Sequence, residues 1–210
     1  MVDVAVIDYG MGNLRSVEQA LRKVAPAAEI VVTNDADTII NAGRVVFPGQ
    51  GAMPDCMREL DARGLRDAVL LAAHNGPFLG ICIGLQMLFE HSAEGDVAGL
   101  GILRGNVVRF ASHMHDEQGN KLKVPHMGWN RVHHGSHPLW DGIEQDARFY
   151  FVHSYYVKPQ DMSLVQATSQ YPQSFVCAVA KDNLFAVQFH PEKSATAGLK
   201  LLENFVQWNP

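Results

Sequence analysis

The sequence predicts an α/β fold: an open, mostly parallel, doubly wound sheet with helices on both faces, and a smaller antiparallel sheet or hairpin in the C-terminal half. Three observations carry this. Short apolar runs alternate with stretches of helical periodicity from Val2 to Phe89, giving the order β-α-β-α-β-α-β-α. After Phe89, strand-like runs follow one another around glycine-rich turns, without helices between them. One amphipathic helix, with Leu201, Leu202, Phe205 and Trp208 on its apolar face, closes the chain.

Each element has its own justification. Residues 2–7 are a nearly continuous apolar run, which suits a strand buried on both faces of a parallel sheet. Gly10 and Gly12 form a glycine-rich turn, and Leu14, Val17, Ala20, Leu21 and Val24 then recur at helical spacing. That turn could hold a phosphate at the helix start, but it lacks a third glycine or a Lys-Ser/Thr pair, so it reads as a simple βα connection. Pro26 ends the helix, residues 29–33 form a second strand, 35–41 a short capped helix, and 44–47 a third strand. Helices over 55–62 and 65–73 are separated by Gly64, and Asn75-Gly76-Pro77 turns the chain into a fourth strand ending near Ile81. A helix is expected over 85–89. Beyond it, 106–110, 149–157, 164–167, 175–180 and 184–189 read as strands, with Lys181-Asp182-Asn183 as a hairpin turn. Residues 111–146 show no helical period, and the closing helix covers 197–208.

The 210 residues suit one domain, here 1–210, with a large core. A net charge of −5 gives no footprint for nucleic acid or an anionic membrane. No apolar run reaches membrane-spanning length, and the start lacks a signal-peptide pattern. The three cysteines, Cys56, Cys82 and Cys177, are odd in number and far apart, which argues against a disulfide framework. A reduced, cytoplasmic protein is expected. His113, His115, His133, His134 and His137 have no carboxylate or cysteine at ligand spacing, so no metal is expected.

Three motifs carry chemistry. Gly80-Ile81-Cys82-Ile83-Gly84 is a G-x-nucleophile-x-G elbow between strand and helix, with cysteine as the nucleophile. The glycines allow a tight turn, and the sulfur stands beside the positive end of the next helix, a setting that favours thiolate. Pro48-Gly49-Gln50-Gly51 leaves the third strand at its C-terminal end, where such sheets bind ligands; it reads as an oxyanion loop or as an ordinary turn. In His190-Pro191-Glu192, after the last strand, His190 could take the thiol proton and Glu192 could orient the imidazole, if that strand runs parallel to the elbow strand.

Taken together, Gly-Ile-Cys-Ile-Gly-Leu-Gln at 80–86, Pro-Gly-x-Gly at 48–51 and Phe-His-Pro-Glu at 189–192 resemble the class I (triad) glutamine amidotransferases. The resemblance spans nearly the whole chain and implies a flavodoxin-like core without cofactor or metal. It implies hydrolysis of L-glutamine through a glutamyl thioester, with Cys82 as nucleophile, His190 as proton shuttle and Glu192 as orienter. The backbone N–H of Ile83, with that of Gln50 or Gly51, would hold the oxyanion. Gly49, Gln86, Glu94, Ser154 and Tyr155 would hold glutamine, with Glu94 on its α-ammonium. Gln50 departs from the pattern, which has a small apolar residue there.

Asp8 to Asn13, Pro125 to Asn130 and Tyr150 to Tyr155 resemble the branch that serves histidine synthesis. Leu85, where the anthranilate and carbamoyl phosphate types carry histidine, argues against those branches. Membership implies a heterodimer with a separate (βα)8-barrel cyclase subunit that receives the ammonia. Asn13, Met127, Trp129, Tyr150 and Lys193 would face it, although Trp129 and Tyr150 also read as core aromatics. A paralogous glutaminase feeding a sugar amidotransferase is the alternative.

Overall fold

The structure, a computed structural model, describes residues 2–115 and 118–210. Its first half is a regular alternation: β1 (Val4–Ile7), α1 (Leu14–Val24), β2 (Ile30–Thr33), α2 (Ala36–Asn41), β3 (Arg44–Gly49), α3 (Met53–Ala62), α4 (Arg66–Asn75), β4 (Phe78–Cys82) and α5 (Ile83–Met87). Then come β5 (Phe89–Ser92), β6 (Val97–Ala98), β7 (Leu103–Arg109), β8 (His126–Arg131), β9 (His133–His134), β10 (Arg148–His153), β11 (Tyr155–Pro159), β12 (Val165–Tyr171), β13 (Gln173–Lys181), β14 (Leu184–Val187) and α6 (Ala195–Gln207).

The centre of the main sheet runs β2-β1-β3-β4-β14, and every pairing in it is parallel. All residues of β1, β4 and β14 are buried, as their unbroken apolar runs require. The order reverses between β1 and β3, so right-handed crossovers put α1 on one face and α2 to α4 on the other. α1 packs on α6, and α2 packs on α4. At this switch point the two glycine-rich loops meet: a Cβ on Gly12 would lie 3.6 Å from Gly49 Cα. Gly12, with φ 139°, thus brings the first turn into contact with the second, while Gly10 packs under the Arg63 side chain.

Antiparallel strands continue the same sheet beyond β14, through β13, β11 and β7, to β5 and β6. β5 returns parallel to β7. The hairpin between β13 and β14 turns at Asp182, whose φ is 51°. Among the described residues, β8 and β10 form a separate two-stranded sheet.

Two expectations need correction, and one stretch left without elements gains a strand. The helix after Cys82 ends at Met87, because Phe89 pairs with Leu103 and enters β5. The strand expected over 149–157 is two strands in different sheets, parted at Ser154: β10 joins β8, and β11 joins β7 and β13. Residues 111–146 contain β8, which the usual alternation conceals because its outward Met127 and Trp129 are apolar while its inward His126 is polar and buried. Among the described residues, no helix is long and apolar enough to cross a membrane.

Candidate active site

β4 delivers Cys82 at the C-terminal edge of the sheet with φ 56° and ψ −109°, a backbone state that residues with a Cβ rarely adopt. Close packing around the turn imposes it. A Cβ on Gly84 would collide with the Phe47 carbonyl, and one on Gly80 would sit 3.0 Å from Ala186 Cβ. Ile83 opens α5, so its N–H has no carbonyl of its own helix to bond.

β14 lies beside β4, parallel, with Val187 opposite Ile81. His190 therefore leaves the sheet next to Cys82, and a 3₁₀ turn over Pro191–Lys193 folds Glu192 back towards it. His190 Nδ1 lies 2.8 Å from Glu192 Oε1, and the two side chains are 5% and 1% exposed. Nε2 of His190 is buried and meets no nitrogen or oxygen partner. Burial alone would push the imidazole down, but the Cys82 sulfur and then Glu192 outweigh it and push His190 up to about 10. The imidazole is thereby set to hold a proton beside the sulfur.

Polar groups not singled out in the sequence complete the setting. Gln188, fully buried, points Nε2 at Cys82 Sγ from 3.8 Å. Ser194 donates to the His190 carbonyl at 2.6 Å and accepts from the Tyr150 N–H at 2.9 Å, which locks the strand end that carries the imidazole. Tyr9 is fully buried, its hydroxyl lies beside the Cys56 sulfur and meets no nitrogen or oxygen partner, and a Cβ on Gly49 would collide with that oxygen. Burial holds the Tyr9 phenol well above its ordinary value, so it stays neutral. A polar residue in the otherwise apolar run 184–189 was the one available signal, and it pointed to Gln188.

Cys82 and His190 open into a cavity of about 300 Å³, whose wall includes Gln50, Gly51, Ile83, Gln86, Glu94, Ser154 and Tyr155. That volume is at the small end for ligand sites and suits an amino acid. The Pro-Gly-x-Gly loop borders it. Cys56 Sγ lies 3.8 Å from the Gln50 carbonyl, and a trans peptide turns the Gly51 N–H to the opposite side. The Gln50 side chain is exposed, so the longer residue at this place is accommodated in solvent.

The model of the family described as "Glutamine amidotransferase class-I" matches residues 5–208. The chain belongs to the class-I glutamine amidotransferases. It is 67% identical over 211 residues to the imidazole glycerol phosphate synthase subunit HisH of Thiobacillus denitrificans, covering 100% of this chain and 92% of that one. It is 66% identical over 212 residues to the subunit of the same name from Nitrosospira multiformis, covering 100% of both. Among solved structures, one described as a glutamine amidotransferase superposes with a TM-score of 0.72 at 18% identity, covering 98% and 97% of the two chains. The Trypanosoma brucei CTPS glutaminase domain with bound acivicin gives 0.65 at 15%, covering 100% and 96%. At those identities the structures speak for the fold.

Within this class-I amidotransferase, the remaining predicted residues separate by environment. Gln86 is not an exposed polar residue. It is 2% exposed, donates to the Tyr155 carbonyl at 3.2 Å and to Gln188 Oε1 at 3.0 Å, and leaves its own Oε1 buried and unpartnered. Glu94 is half-buried in the cavity wall, where Oε2 accepts from the Met53 N–H at the start of α3 at 2.9 Å. A carboxylate at a helix N-terminus is a favourable pairing, and its second oxygen remains for a cation. Gly49 ends β3 opposite Cys82.

On the neighbouring surface, Met127 and Trp129 are 62% and 49% exposed, which rules out a core role for Trp129. Tyr150, half-buried, meets Trp129 edge to face at 6.1 Å across the β8–β10 pair. Asn13 is exposed at the start of α1, with no capping bond from its side chain, and Lys193 is half-buried beside the triad residues.

Proposed function

We propose that this chain is the glutaminase subunit of an imidazole glycerol phosphate synthase, working in the cytoplasm as one amidotransferase domain over residues 1–210. The observation that carries the chemistry is the strained Cys82 elbow facing the buried His190–Glu192 pair in a single small cavity.

Cys82 attacks the side-chain carboxamide carbon of L-glutamine. The resulting oxyanion is held by the N–H of Ile83 and that of Gly51 or Gln50, a term typically worth about two to three orders of magnitude in rate per donor. His190, charged in the resting pair, gives its proton to the nitrogen, and ammonia leaves behind a glutamyl thioester. Neutral His190 then takes a proton from water, whose oxygen attacks the thioester. Glutamate departs, and the thiolate–imidazolium pair is restored. Glu192 keeps the ring oriented throughout. Gln86, Glu94, Ser154, Tyr155 and Gly49 hold the substrate, with Glu94 on the α-ammonium.

The ammonia passes to a (βα)8-barrel cyclase subunit bound as a heterodimer, which makes imidazole glycerol phosphate and the carboxamide ribotide that returns to purine synthesis. Asn13, Met127, Trp129, Tyr150 and Lys193 form the docking face; two adjacent exposed apolar side chains on one strand support this. Purification with the barrel subunit, followed by a glutaminase assay, tests the reading. Weak hydrolysis alone, strong hydrolysis with the nucleotide-loaded partner, and loss of turnover with retained binding in Cys82→Ala are expected. Full activity without any partner would refute the subunit assignment.

A further inference from the structure

A second pair of buried titratable side chains reaches the cavity through one member, His153, which lines it. His126 on β8 and His153 on β10 are opposite one another across the two-stranded sheet, with His126 Nδ1 3.0 Å from His153 Nε2. Both rings are buried, at 4% and 6% exposure.

The bonds at either end fix every proton. The Tyr155 carbonyl can only accept, and it lies 2.7 Å from His153 Nδ1, so His153 carries its proton there and its Nε2 accepts. His126 must then donate from Nδ1, and its Nε2 accepts from Asn130 Nδ2 at 3.2 Å. The Asn130 amide is itself oriented, donating to the Gln170 carbonyl at 2.8 Å and accepting from the Arg131 N–H at 2.8 Å. The chain runs in one direction with both imidazoles neutral; a charge on either would set two N–H groups face to face. Burial keeps them neutral, pushing His126 down to about 4 and His153 down to about 3, the latter also lowered by His126 and His190. Tyr171 stacks on His126 at 4.1 Å and holds the ring in plane.

The chain does not stop at Tyr155. Its carbonyl takes a second bond from Gln86 Nε2, which also reaches Gln188, which in turn reaches Cys82. At the other end, Met127 and Trp129 project outward from the strand that turns His126 inward.

We propose that the His126–His153 pair is a positioning device for the glutamine cavity: it fixes the Tyr155 carbonyl and the Gln86 amide in the wall, and makes that wall follow movements of β8. The second part rests on the docking reading above; the first does not.

His126→Phe keeps a ring against Tyr171 and removes both hydrogen bonds, while His126→Asn restores a donor near the Nδ1 position. Glutamine kinetics are measured on both variants and the wild type, free and with saturating barrel partner. His126→Phe is expected to raise KM for glutamine about tenfold, the worth of one buried hydrogen bond, with a smaller change in kcat, and His126→Asn to recover part of it. A folded His126→Phe with KM within about twofold of wild type overturns the positioning role. Should the variants fail to fold, ¹⁵N spectra of the wild-type imidazoles decide: Nδ1–H tautomers for both rings, neutral down to pH 5.5, are expected on the values above, and an Nε2–H or charged ring overturns the chain. For transmission, the activity ratio with and without partner should fall in His126→Phe while partner affinity is unchanged. A wild-type ratio in that variant overturns transmission. A wild type that no partner stimulates rejects the docking reading and transmission with it, and KM still decides the positioning role.

Discussion

His190 and Glu192 are two residues apart in sequence, yet their side chains meet at 2.8 Å while neither is more than 5% exposed. In a continuing strand, side chains two residues apart stand nearly 7 Å from each other along the chain, about twice the 3.3 Å rise. Pro191 starts the 3₁₀ turn that closes this gap. Replacing Glu192 by Gln keeps the shape and removes the charge. The turnover number should fall by about 100-fold or more, with glutamine KM much less affected. Steady-state ammonia release in the saturated complex measures it, and near wild-type turnover would dismiss Glu192 as an orienter.

The raised His190 pKa is also a statement about stability. The folded chain holds this proton up to about pH 10, the unfolded chain only to about 6.5. The linked stabilisation is therefore complete below about pH 6.5 and disappears as pH rises through about 10. Denaturant midpoints of wild type and His190→Phe, compared from pH 6.5 to 10, should converge with rising pH. A constant or widening gap would contradict the ion pair.

Ser194 joins the catalytic strand end to β10, since its hydroxyl bonds both the His190 carbonyl and the Tyr150 N–H. Ser194→Ala leaves both groups buried without that partner. It should cost about 1–3 kcal/mol of stability. Turnover should drop as His190 loosens, while Ser194→Thr keeps more of both. Thermal melts alongside kinetics separate the two effects.

Met127 and Trp129 make few demands on the isolated chain, being exposed. Alanine at either should shift unfolding by no more than about 0.5 kcal/mol. Binding of the barrel subunit should weaken by about 2 kcal/mol or more for Trp129→Ala, roughly thirtyfold in Kd. Titration calorimetry reads this directly, and an unchanged Kd would move the docking face elsewhere.

Gly84→Ala places a methyl group against the backbone carbonyl of Phe47. The elbow cannot yield without shifting β3 or α5, so about 1–3 kcal/mol of stability should be lost. Cys82 should also become unreactive towards a glutamine analogue, as shown by mass spectrometry of the labelled chain. Full labelling would mean that the turn tolerates relaxation.

The parts of this molecule that could be read directly are those where one physical demand acts on neighbouring residues. Buried parallel strands need continuous apolar runs, so β1, β4 and β14 announced themselves, as did the helices between them. The elbow and His-Pro-Glu were readable because backbone strain and proton transfer each need fixed residue types at fixed spacing. The partners of Gln188, His126 and His153 were not, because they lie far along the chain and only the pairing of β8 with β10, or of β14 with β4, brings them close. β8 was concealed for a different reason: its apolar residues face outward, against the pattern that burial teaches one to expect.

Ser154 alone separates β10 of the small sheet from β11 of the large one, and its carbonyl is tied to the Phe110 N–H at 3.0 Å. Residue count is therefore itself a functional specification at this point. Side chains and carbonyls alternate sides along a strand, so one added residue would turn the Tyr155 carbonyl away from His153 and Gln86 or force β11 to slip against β7. A surface loop can take up an added residue by bulging into solvent; at Ser154 even a single insertion would reverse which groups line the cavity. The wall of the site is set by parity as much as by chemistry.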